Sequence, residues 1–480
     1  MDPRRRFPAH LQVFILIVLA GPFFALGCSG ASHVDSDNSG RTLSYQPGLP
    51  NFNMEGIVTW RDRKPGIDLY LSIPSRSLSF VRAPRGFVAA VTTSAQVQTR
   101  EGRQLVAEDE WLDSARVDDY EATQKLDPIT LRKRVRVSPG LYHVVVAVSD
   151  RTTKKTTRRS QDVEVFSLDS GRPQLSRLWL ETRTGSGEAK PVVMLHLPAN
   201  IGSLRSVSVL YDAQDAHGVI AQYSVIKVMS DTTSAAPPYT YFPMQGSLAS
   251  VGIDYARRDT VHVELQEKRQ PQREMPIEFQ LPPLARGIYM LEEKVIVYTS
   301  TDVRSSVVLR QTYELAIRGI NFPRPSTLDE LIEALPYLAK KEELDSIRSA
   351  VTVEEKRRQF ELFWLKLGRS QQGAAKLIKQ YYTRVEEANL SFTTYKEGWK
   401  TDRGMIYIIM GPPVSVSHRL NDEYWSYNYS EQDAQSTFTF QRSPFTAPPN
   451  VFPSYVLVRQ PNYAALWDRE VNRWRSGMIQ

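Results

Sequence analysis

Apolar and polar residues alternate over most of the first two thirds of the chain, and this period of two is typical of β-strands. Short runs such as Asp68–Ile73 and Gly86–Thr92 are separated by proline-bearing turns. From Arg134 to Val137 basic and apolar residues alternate, as in a strand with one solvent-exposed face, and Leu141–Val148 has the strongest strand pattern. Residues 49–168 are therefore predicted to form a β-sandwich.

A second β-rich unit, predicted over residues 172–319, repeats a feature of the first. In both units a turn ends in glycine, one apolar residue and a tyrosine follow, and a strand continues. The two copies are Gly140-Leu141-Tyr142 and Gly287-Ile288-Tyr289. This pattern resembles the late strands of immunoglobulin-like sandwiches, where a tyrosine supports a sheet corner. The predicted architecture is two tandem immunoglobulin-like β-sandwiches.

The segment Asn321–Pro325 marks a boundary, because prolines at two of its five positions exclude both a helix and a central strand. Beyond it the apolar period changes to about 3.6, which predicts helices. Ser326 or Thr327 can cap the first helix, and Val353–Leu367 forms a later one with Thr352 as its cap. Residues 325–480 are predicted to combine this helical layer with a small antiparallel sheet, which makes the whole chain an α+β multidomain protein.

The small sheet is predicted from four segments. The purely apolar run Met405–Met410 lies between a glycine-bounded turn and Gly411-Pro412-Pro413, which predicts a buried strand. Three later segments alternate like antiparallel strands: Glu423–Asn428, Ser436–Gln441 and Ser454–Val458. The amphipathic stretch Tyr463–Arg475 predicts a C-terminal helix.

The turn before Met405 carries a recognisable signature, Gly398-Trp399-Lys400-Thr401-Asp402, which is followed by Gly404. Together with Phe363-Trp364 and Tyr381–Val385 upstream, it resembles the GWxTD-domain proteins of bacterial envelopes. No biochemical activity is established for that family. The resemblance implies a body outside the cytoplasm and, in the absence of catalytic motifs, a role in binding or assembly.

The first 28 residues have the features of a targeting segment. Arg4–Arg6 are positive, Val13–Ala20 are apolar, and Cys28 is the only cysteine of the chain. This resembles a bacterial lipoprotein signal, which implies a signal peptide at residues 1–27, lipid attachment at Cys28, and anchoring in a membrane, with the outer membrane favoured. An ordinary secretory signal and an uncleaved anchor are alternatives, although Gly21-Pro22 interrupts the apolar span. Residues 28–48 are predicted to be a flexible tether.

The charge of the chain is mildly basic, at +7 with a pI near 9.2, and part of it belongs to the predicted signal. The basic residues are spread along the sequence, so no nucleic-acid partner is predicted. Such a balance permits contact with anionic lipid headgroups.

Asp402 is the sharpest candidate for chemistry, since a carboxylate on a glycine-bounded turn beside Trp399 can act as a general acid or base. The structural alternative is that Thr401 and Asp402 bond nearby backbone N–H groups, that Trp399 packs on the helices, and that the glycines allow special backbone angles. The residues assigned to this motif are Gly398, Trp399, Thr401, Asp402, Gly404, Gly411 and Pro412.

Aromatic and cationic helix residues that face the signature are a candidate groove for a peptide or glycan: Phe363, Trp364, Tyr381 and Arg384. Tyr424 and Trp425, on a later alternating segment, are a candidate exposed patch for contact with a protein or a carbohydrate. Arg384 would stack on an aromatic ring or pair with Asp402. The alternative is that the helical aromatics form the core of the domain.

Motifs for metal, nucleotide and nucleophile chemistry are absent from the sequence: the seven histidines are dispersed, and there is no Gly-x-Ser-x-Gly or Walker motif. No cofactor and no metal site are predicted. The leading hypothesis is a non-enzymatic, lipid-anchored envelope protein whose partner is another envelope protein. The alternative is an envelope hydrolase or glycan-binding protein that uses the Asp402 turn.

Overall fold

The computed structural model describes residues 49–61, 64–124, 128–168, 171–183, 189–194, 196–240, 252–268, 271–298, 306–419, 422–428, 436–442 and 454–479. Among the described residues, strands hold 47% and helices 22%, so this part of the chain is built mostly from sheets with a few helices. The predicted signal peptide, Cys28 and the tether lie outside the described residues. Among the helices that the structure describes, none combines the length and apolar character needed to cross a membrane.

The first β-rich unit contains two antiparallel sheets around one core. Its elements are β1 (Asn53–Arg61), β2 (Lys64–Pro74), β3 (Val81–Arg82), β4 (Phe87–Thr99), β5 (Leu105–Val117), α1 (Tyr120–Thr123), β6 (Pro128–Arg136), β7 (Gly140–Asp150) and β8 (Thr156–Val165). One sheet has the order β1-β2-β6, and the other has the order β3-β4-β7-β8 with β5 on β4. Leu69 and Val135 from the first sheet and Val91 and Val146 from the second are buried in the same cluster, so the alternating apolar faces of both sheets close on each other.

The second β-rich unit repeats this plan. Its strands are β9 (Gln174–Leu175), β10 (Trp179–Arg183), β11 (Ala189–Pro191), β12 (His196–Pro198), β13 (Leu204–Tyr211), β14 (Gly218–Ser230), β15 (Ile253–Lys268), β16 (Glu274–Gln280), β17 (Gly287–Tyr298) and β18 (Ser306–Arg318). One sheet has the order β11-β10-β13-β16 with β9 on β13, and the other has the order β12-β18-β17-β14-β15. Strand β12 runs parallel to β18. Leu180, Ile277, Leu291 and Leu315 form part of its core.

The strand orders of the two units correspond. In the first, β1, β2 and β6 share one sheet while β5-β4-β7-β8 form the other; in the second, β10, β13 and β16 share one sheet while β15-β14-β17-β18 are neighbours in the other. The repeated glycine–tyrosine segments occupy equivalent places, at the starts of β7 and β17. Tyr142 Oη donates to the carbonyl of Ser138 at 2.9 Å, and Tyr289 Oη donates to the carbonyl of Ala285 at 2.8 Å. The sequence echo therefore corresponds to the same local hydrogen bond in both units.

The C-terminal part consists of helices and one four-stranded antiparallel sheet. Its elements are α2 (Leu328–Glu333), α3 (Lys341–Arg348), α4 (Val353–Gly368), α5 (Gln371–Phe392), α6 (Asp402–Met410), β19 (Ser415–His418), β20 (Asp422–Ser426), β21 (Thr437–Arg442), β22 (Tyr455–Leu457) and α7 (Tyr463–Arg475). The sheet order is β19-β20-β21-β22. The predicted caps are present: Thr327 forms a capping box with Glu330, and Thr352 accepts a hydrogen bond from the amide of Glu355. The proposed domain boundaries stay predictions.

The prediction of a strand at Met405–Met410 is wrong, because these residues belong to helix α6. The helix is buried around its whole circumference, with Ile406 and Ile408 fully covered, and such a helix has no polar face to reveal its period. A short apolar run therefore does not distinguish a buried strand from a buried helix. The residue that indicates a helix is Thr401, directly before the run. Its hydroxyl caps the helix by accepting from the amide of Gly404 at 3.1 Å.

Candidate functional site

The signature forms a tight connection between the long helix α5 and the buried helix α6. Gly398–Lys400 make one 3-10 turn, and Thr401 then starts α6. The Thr401 hydroxyl donates to the carbonyl of Gly398 at 2.7 Å while it accepts from the amide of Gly404. One side chain thus fixes both ends of the turn.

The two glycines of the turn are required by close backbone approaches. A Cβ atom at Gly398 would lie 1.9 Å from the carbonyl oxygen of Ala388, and one at Gly404 would lie 1.8 Å from the carbonyl oxygen of Gly398. Backbone atoms cannot move aside as flexible side chains can. Glycine at these positions is therefore explained by packing, with positive φ angles playing no part.

Trp399 is buried in the domain core, and its backbone is held on both sides. Its amide donates to Asn389 Oδ1 at 3.2 Å, and its carbonyl accepts from Tyr337 Oη at 2.8 Å. The ammonium group of Lys400 lies 5.1 Å from the centre of the indole ring. Trp399 therefore acts as a packing residue that also orients the turn.

Both carboxylate oxygens of Asp402 are bonded within the molecule. Oδ2 accepts from the amide of Leu457 at 2.8 Å and from Arg459 Nη1 at 3.2 Å, and Oδ1 accepts from Arg459 Nη2 at 2.5 Å. The side chain of Asp402 is only 11% exposed. Arg459 Nη2 also donates to the carbonyl of Ala236 at 3.1 Å. Asp402 therefore links α6 to β22 and, through Arg459, to the loop after β14.

This loop, residues 231–240, is called here the docked loop. The amide of Ala235 donates to the carbonyl of Lys400 at 3.0 Å and lies 3.2 Å from Tyr337 Oη. At its start, Asp231 pairs with Lys396 Nζ at 2.8 Å. The second β-rich unit is thus fastened directly onto the signature turn.

A buried ion cluster lies beside the turn and makes a second connection to the β-strands. Glu397, which precedes Gly398, accepts from Arg286 Nε at 2.9 Å and lies 3.2 Å from Lys400 Nζ. Burial alone would raise the pKa of Glu397, but the charges of Arg318, Lys400 and Arg286 lower that pKa to about 2. Burial lowers the pKa of Arg318 to about 10, still well above neutral. Glu397 and Arg318 are therefore both charged at pH 7.

An open cleft of about 300 Å³ adjoins this cluster, and its walls include Arg286, Arg324, Glu330, Glu333, Asn389 and Trp399. Several of its polar walls are already engaged: Glu330 caps α2, Arg286 binds Glu397, and Asn389 Nδ2 donates to the carbonyl of Pro323 at 2.8 Å. The cleft offers contact with a small polar group, but its geometry does not place a nucleophile against a base.

The aromatic residues proposed as a binding groove lie inside the protein. Phe363, Trp364 and Tyr381 are buried in the core of the C-terminal part, and Tyr381 Oη donates to the carbonyl of Ala334 at 2.6 Å. Trp425 is also fully buried, and its indole N–H donates to Glu423 at 2.5 Å. These four residues supply core packing.

Glu423 also pairs with Arg403, the residue after Asp402, at 3.4 Å, and both side chains are buried. Tyr424 on the same strand is partly exposed, with its hydroxyl donating to Asp422 Oδ2 at 3.2 Å and the guanidinium of Arg419 5.0 Å from its ring. Among the aromatic residues proposed for binding, Tyr424 is therefore the only one whose side chain reaches solvent.

Arg384 does not pair with Asp402, so that alternative is wrong. Its Nη1 donates to the carbonyls of Ile408 and Ile409 at 3.0 and 3.2 Å, and its guanidinium lies 5.0 Å from the ring centre of Trp474. The last carbonyls of a helix lack internal partners and carry partial negative charge, which explains why the cation binds there. Gly411, with φ +84°, ends the helix next to this guanidinium, and the following Pro412 is exposed.

Sequence patterns did not identify the other residues of this site, which are Glu397, Arg459, Tyr337 and the docked loop. Glu397 directly precedes Gly398, so its position beside the signature could have identified it. Arg459 lies 57 residues after Asp402, and no sequence period relates the two. Over the residues that the structure describes, no three His, Cys, Asp or Glu side chains are grouped to hold a metal ion.

Three of the solved structures that resemble the chain have low identity and low TM-scores. Red sea bream transglutaminase is 8% identical with a TM-score of 0.18 over 56% of this chain, which spans 31% of that chain's length. The fibronectin(III)-like modules of Clostridium thermocellum CbhA are 8% identical, with a TM-score of 0.15, over 54% of this chain and 90% of theirs. Salmonella alpha-2-macroglobulin reacted with methylamine is 10% identical, with a TM-score of 0.19, over 59% of this chain and 17% of its own.

No protein of curated function matches the sequence. The family model of the GWxTD domain matches residues 301–476, which include the capped turn, the helices that pack on it and the four-stranded sheet. The signature, its geometry and this match agree, and the chain is a GWxTD-domain-containing protein.

Proposed function

We propose that this protein is a lipid-anchored component of a bacterial cell envelope with a non-enzymatic role in binding or assembly. The observation that carries the proposal is the engagement of Asp402, whose two oxygens are bonded to Leu457 and Arg459. A general acid or base must reach a proton of its substrate. A carboxylate held in this way instead joins structural parts, and Arg459 extends that joint to Ala236 of the docked loop.

The two β-rich units are proposed to be immunoglobulin-like sandwiches that serve as spacers and contact modules. Their matching strand orders support this assignment. So do Tyr142 and Tyr289, each of which bonds to a carbonyl four residues upstream at the start of its strand, as in a tyrosine corner. The hydrogen bonds of the docked loop and the Glu397 ion cluster would hold the second unit and the GWxTD domain in a fixed arrangement, which suits an assembly module.

Cys28 is proposed to attach the protein to the membrane, and the test is the Cys28→Ala variant. The wild type is expected in the membrane fraction after cell lysis and carbonate washing, and the variant in the soluble fraction. A matched control is Ser29→Ala, which leaves the thiol in place. If the Cys28→Ala variant sediments with membranes as the wild type does, the anchor is not at this residue.

The Asp402→Asn variant separates the assembly role from the alternative of an envelope hydrolase or a glycan-binding protein. Loss of the charged pair with Arg459 is expected to lower stability by about 1 to 3 kcal/mol. Asp468→Asn, an exposed acidic residue on α7, is the control. Unchanged unfolding of Asp402→Asn together with loss of glycan hydrolysis or binding would favour the alternative.

Another envelope protein is the proposed partner, and crosslinking in living cells tests this. A single abundant envelope protein is expected to be captured by the tagged wild type. Its capture should fall in Asp402→Asn, because loosening the joint disturbs the assembled surface. Equal capture by Asp402→Asn and wild type would show that the joint does not support partner binding.

A further inference from the structure

The outer face of the sheet β1-β2-β6 carries a cluster of basic residues. Side chains alternate between the two faces of each strand, and the antiparallel register aligns the three strands. One face therefore carries residues 59 and 61 of β1, residues 64, 66, 68 and 70 of β2, and residues 132, 134 and 136 of β6. The cations on this face are Arg61, Lys64, Arg132, Arg134 and Arg136. Asp68 lies among them.

Asp68 organises three of these arginines around one buried carboxylate. Its side chain is 1% exposed, and it accepts from Arg61 at 2.9 Å, Arg132 at 3.1 Å and Arg134 at 3.2 Å. Thr59 Oγ1 also donates to it at 3.0 Å. Burial alone would raise the pKa of Asp68, but hydrogen bonds from Thr59 and Arg132 and the charges of the arginines lower that pKa. One negative charge therefore faces three positive ones.

The three arginines differ in what they have left to offer. Arg134 is largely enclosed and also donates to Thr59 and to the carbonyl of Lys64. Arg61 and Arg132 are 52% and 55% exposed, and among the described residues each makes its only hydrogen bond through Nη2 to Asp68. The described residues therefore leave the other N–H groups of both side chains without a hydrogen bond.

These two guanidinium groups are held close together before any ligand arrives. Both Nη2 atoms contact the same oxygen of Asp68, so they lie at most about 6 Å apart. Arg132 is further positioned over the ring of Tyr70, at 5.3 Å from its centre. Side chains that are already ordered lose less entropy when they bind.

Glu181, an acidic residue outside the sheet, forms no ion pair with Arg61 or Arg132. Glu181 lies close enough to influence Tyr70, but it is bound to Arg205 at 2.6 Å. Lys64 and Arg136 are exposed and form no ion pair within the described part of the chain, which adds positive charge along the same face.

We propose that Arg61 and Arg132, held by Asp68, form a binding site for a phosphate group. Guanidinium groups bind phosphate oxygens through parallel charge-assisted hydrogen bonds, and two convergent groups allow one phosphate to be shared. The phosphate can belong to a phospholipid headgroup or to a free ion, since the recognition chemistry is the same. The site is independent of the GWxTD motif and of the proposed anchor.

Phosphate binding is tested by thermal unfolding of the full chain in nonionic detergent. Inorganic phosphate is titrated against chloride at constant ionic strength, and the midpoint of unfolding is followed by tryptophan fluorescence. The midpoint of the wild type is expected to rise with the logarithm of the phosphate concentration once that concentration exceeds the Kd. Arg132→Gln is expected to need about ten-fold more phosphate, because a hydrogen bond to a charged group is lost. Arg310→Gln, an exposed arginine on β18, is the matched control.

Micelles doped with phosphatidylglycerol or phosphatidylcholine distinguish the two sources. Competition by phosphatidylglycerol micelles with free phosphate at Arg61 and Arg132 indicates a headgroup, and undiminished phosphate binding indicates a free ion. Arg61→Gln repeats the test if Arg132→Gln alters unfolding without phosphate. Equal phosphate dependence in wild type, Arg132→Gln and Arg310→Gln, or no rise of the wild-type midpoint with phosphate, overturns the proposal.

Discussion

Replacing Glu397 with glutamine removes one negative charge from the buried cluster beside the signature while keeping the size of the side chain. The carboxylate is 7% exposed and contacts Arg286 and Lys400, with Arg318 nearby. In the variant the buried cations Arg318 and Lys400 lose this counter-ion, while Glu333 stays near Lys400 and the partly exposed Arg286. Removing one partner from buried charges destabilises a fold.

The magnitude follows from the pKa of Glu397. It falls from 4.5 to about 2, and each pKa unit corresponds to about 1.4 kcal/mol, so the ionised group contributes about 3 kcal/mol. This agrees with the roughly 3 to 5 kcal/mol expected when one partner of a buried ion pair is removed. Glu397→Gln should therefore lower the free energy of unfolding by about 3 kcal/mol at pH 7.

The pH dependence has a defined sign. Because the pKa of Glu397 is lower in the folded state, its contribution is complete above pH 4.5 and is lost as the pH falls towards 2. The difference in unfolding free energy between wild type and Glu397→Gln should shrink over the same range.

Urea unfolding followed by tryptophan fluorescence at pH 7, 5, 4 and 3 measures both effects. Glu333→Gln is the control, since Glu333 lies 3.5 Å from Arg286 and 3.8 Å from Lys400 but is 44% exposed. Its loss should cost less than about 1 kcal/mol. The reasoning is refuted if Glu397→Gln unfolds like wild type at pH 7, or if their difference stays constant down to pH 3.

Two further substitutions test the close backbone contact at Gly404 and the buried carboxylate of Glu293. Gly404→Ala should lower the free energy of unfolding by about 3 kcal/mol or more, measured by urea titration, because its methyl group meets the carbonyl of Gly398; a smaller loss would show that the turn adjusts freely. Burial raises the pKa of Glu293, whose donors are the neutral Ser208 and Gln311, so its folded state loses stability as the pH rises above 4.5. Glu293→Gln should therefore raise the unfolding midpoint at pH 7 and make it less dependent on pH above 4.5, and a lower midpoint would contradict this.

The sequence pattern correctly predicted the strands and helices that are buried on one face and exposed to solvent on the other. Strands such as β7 and helices such as α4 and α7 carry that contrast, and their observed bounds lie within a few residues of the predicted ones. Helix α6 was missed for the opposite reason. It has no wet face, so its period is invisible, and only its cap at Thr401 distinguishes it.

Only those contacts of the candidate site that lie within the signature turn could be predicted from the sequence. Thr401 bonds to Gly398 and Gly404 within the same turn, and the glycine spacing already indicated a turn. The partner of Asp402 was not predictable, because Arg459 reaches it only after β22 is placed beside α6. Likewise, the carbonyl of Lys400 meets Ala235 across 165 residues, and no period in a sequence encodes such a contact.

Hydrogen exchange at the amide of Ala235 tests most directly whether the GWxTD motif is a joint. This amide is protected by the carbonyl of Lys400 and by Tyr337, and the docked loop is held by Arg459 through Asp402. Asp402→Asn should speed its exchange about ten-fold or more, the factor for losing one charge-assisted hydrogen bond, while the amides of β14 keep their protection. Unchanged exchange at Ala235 in Asp402→Asn, matching that of Asp468→Asn, would contradict the account.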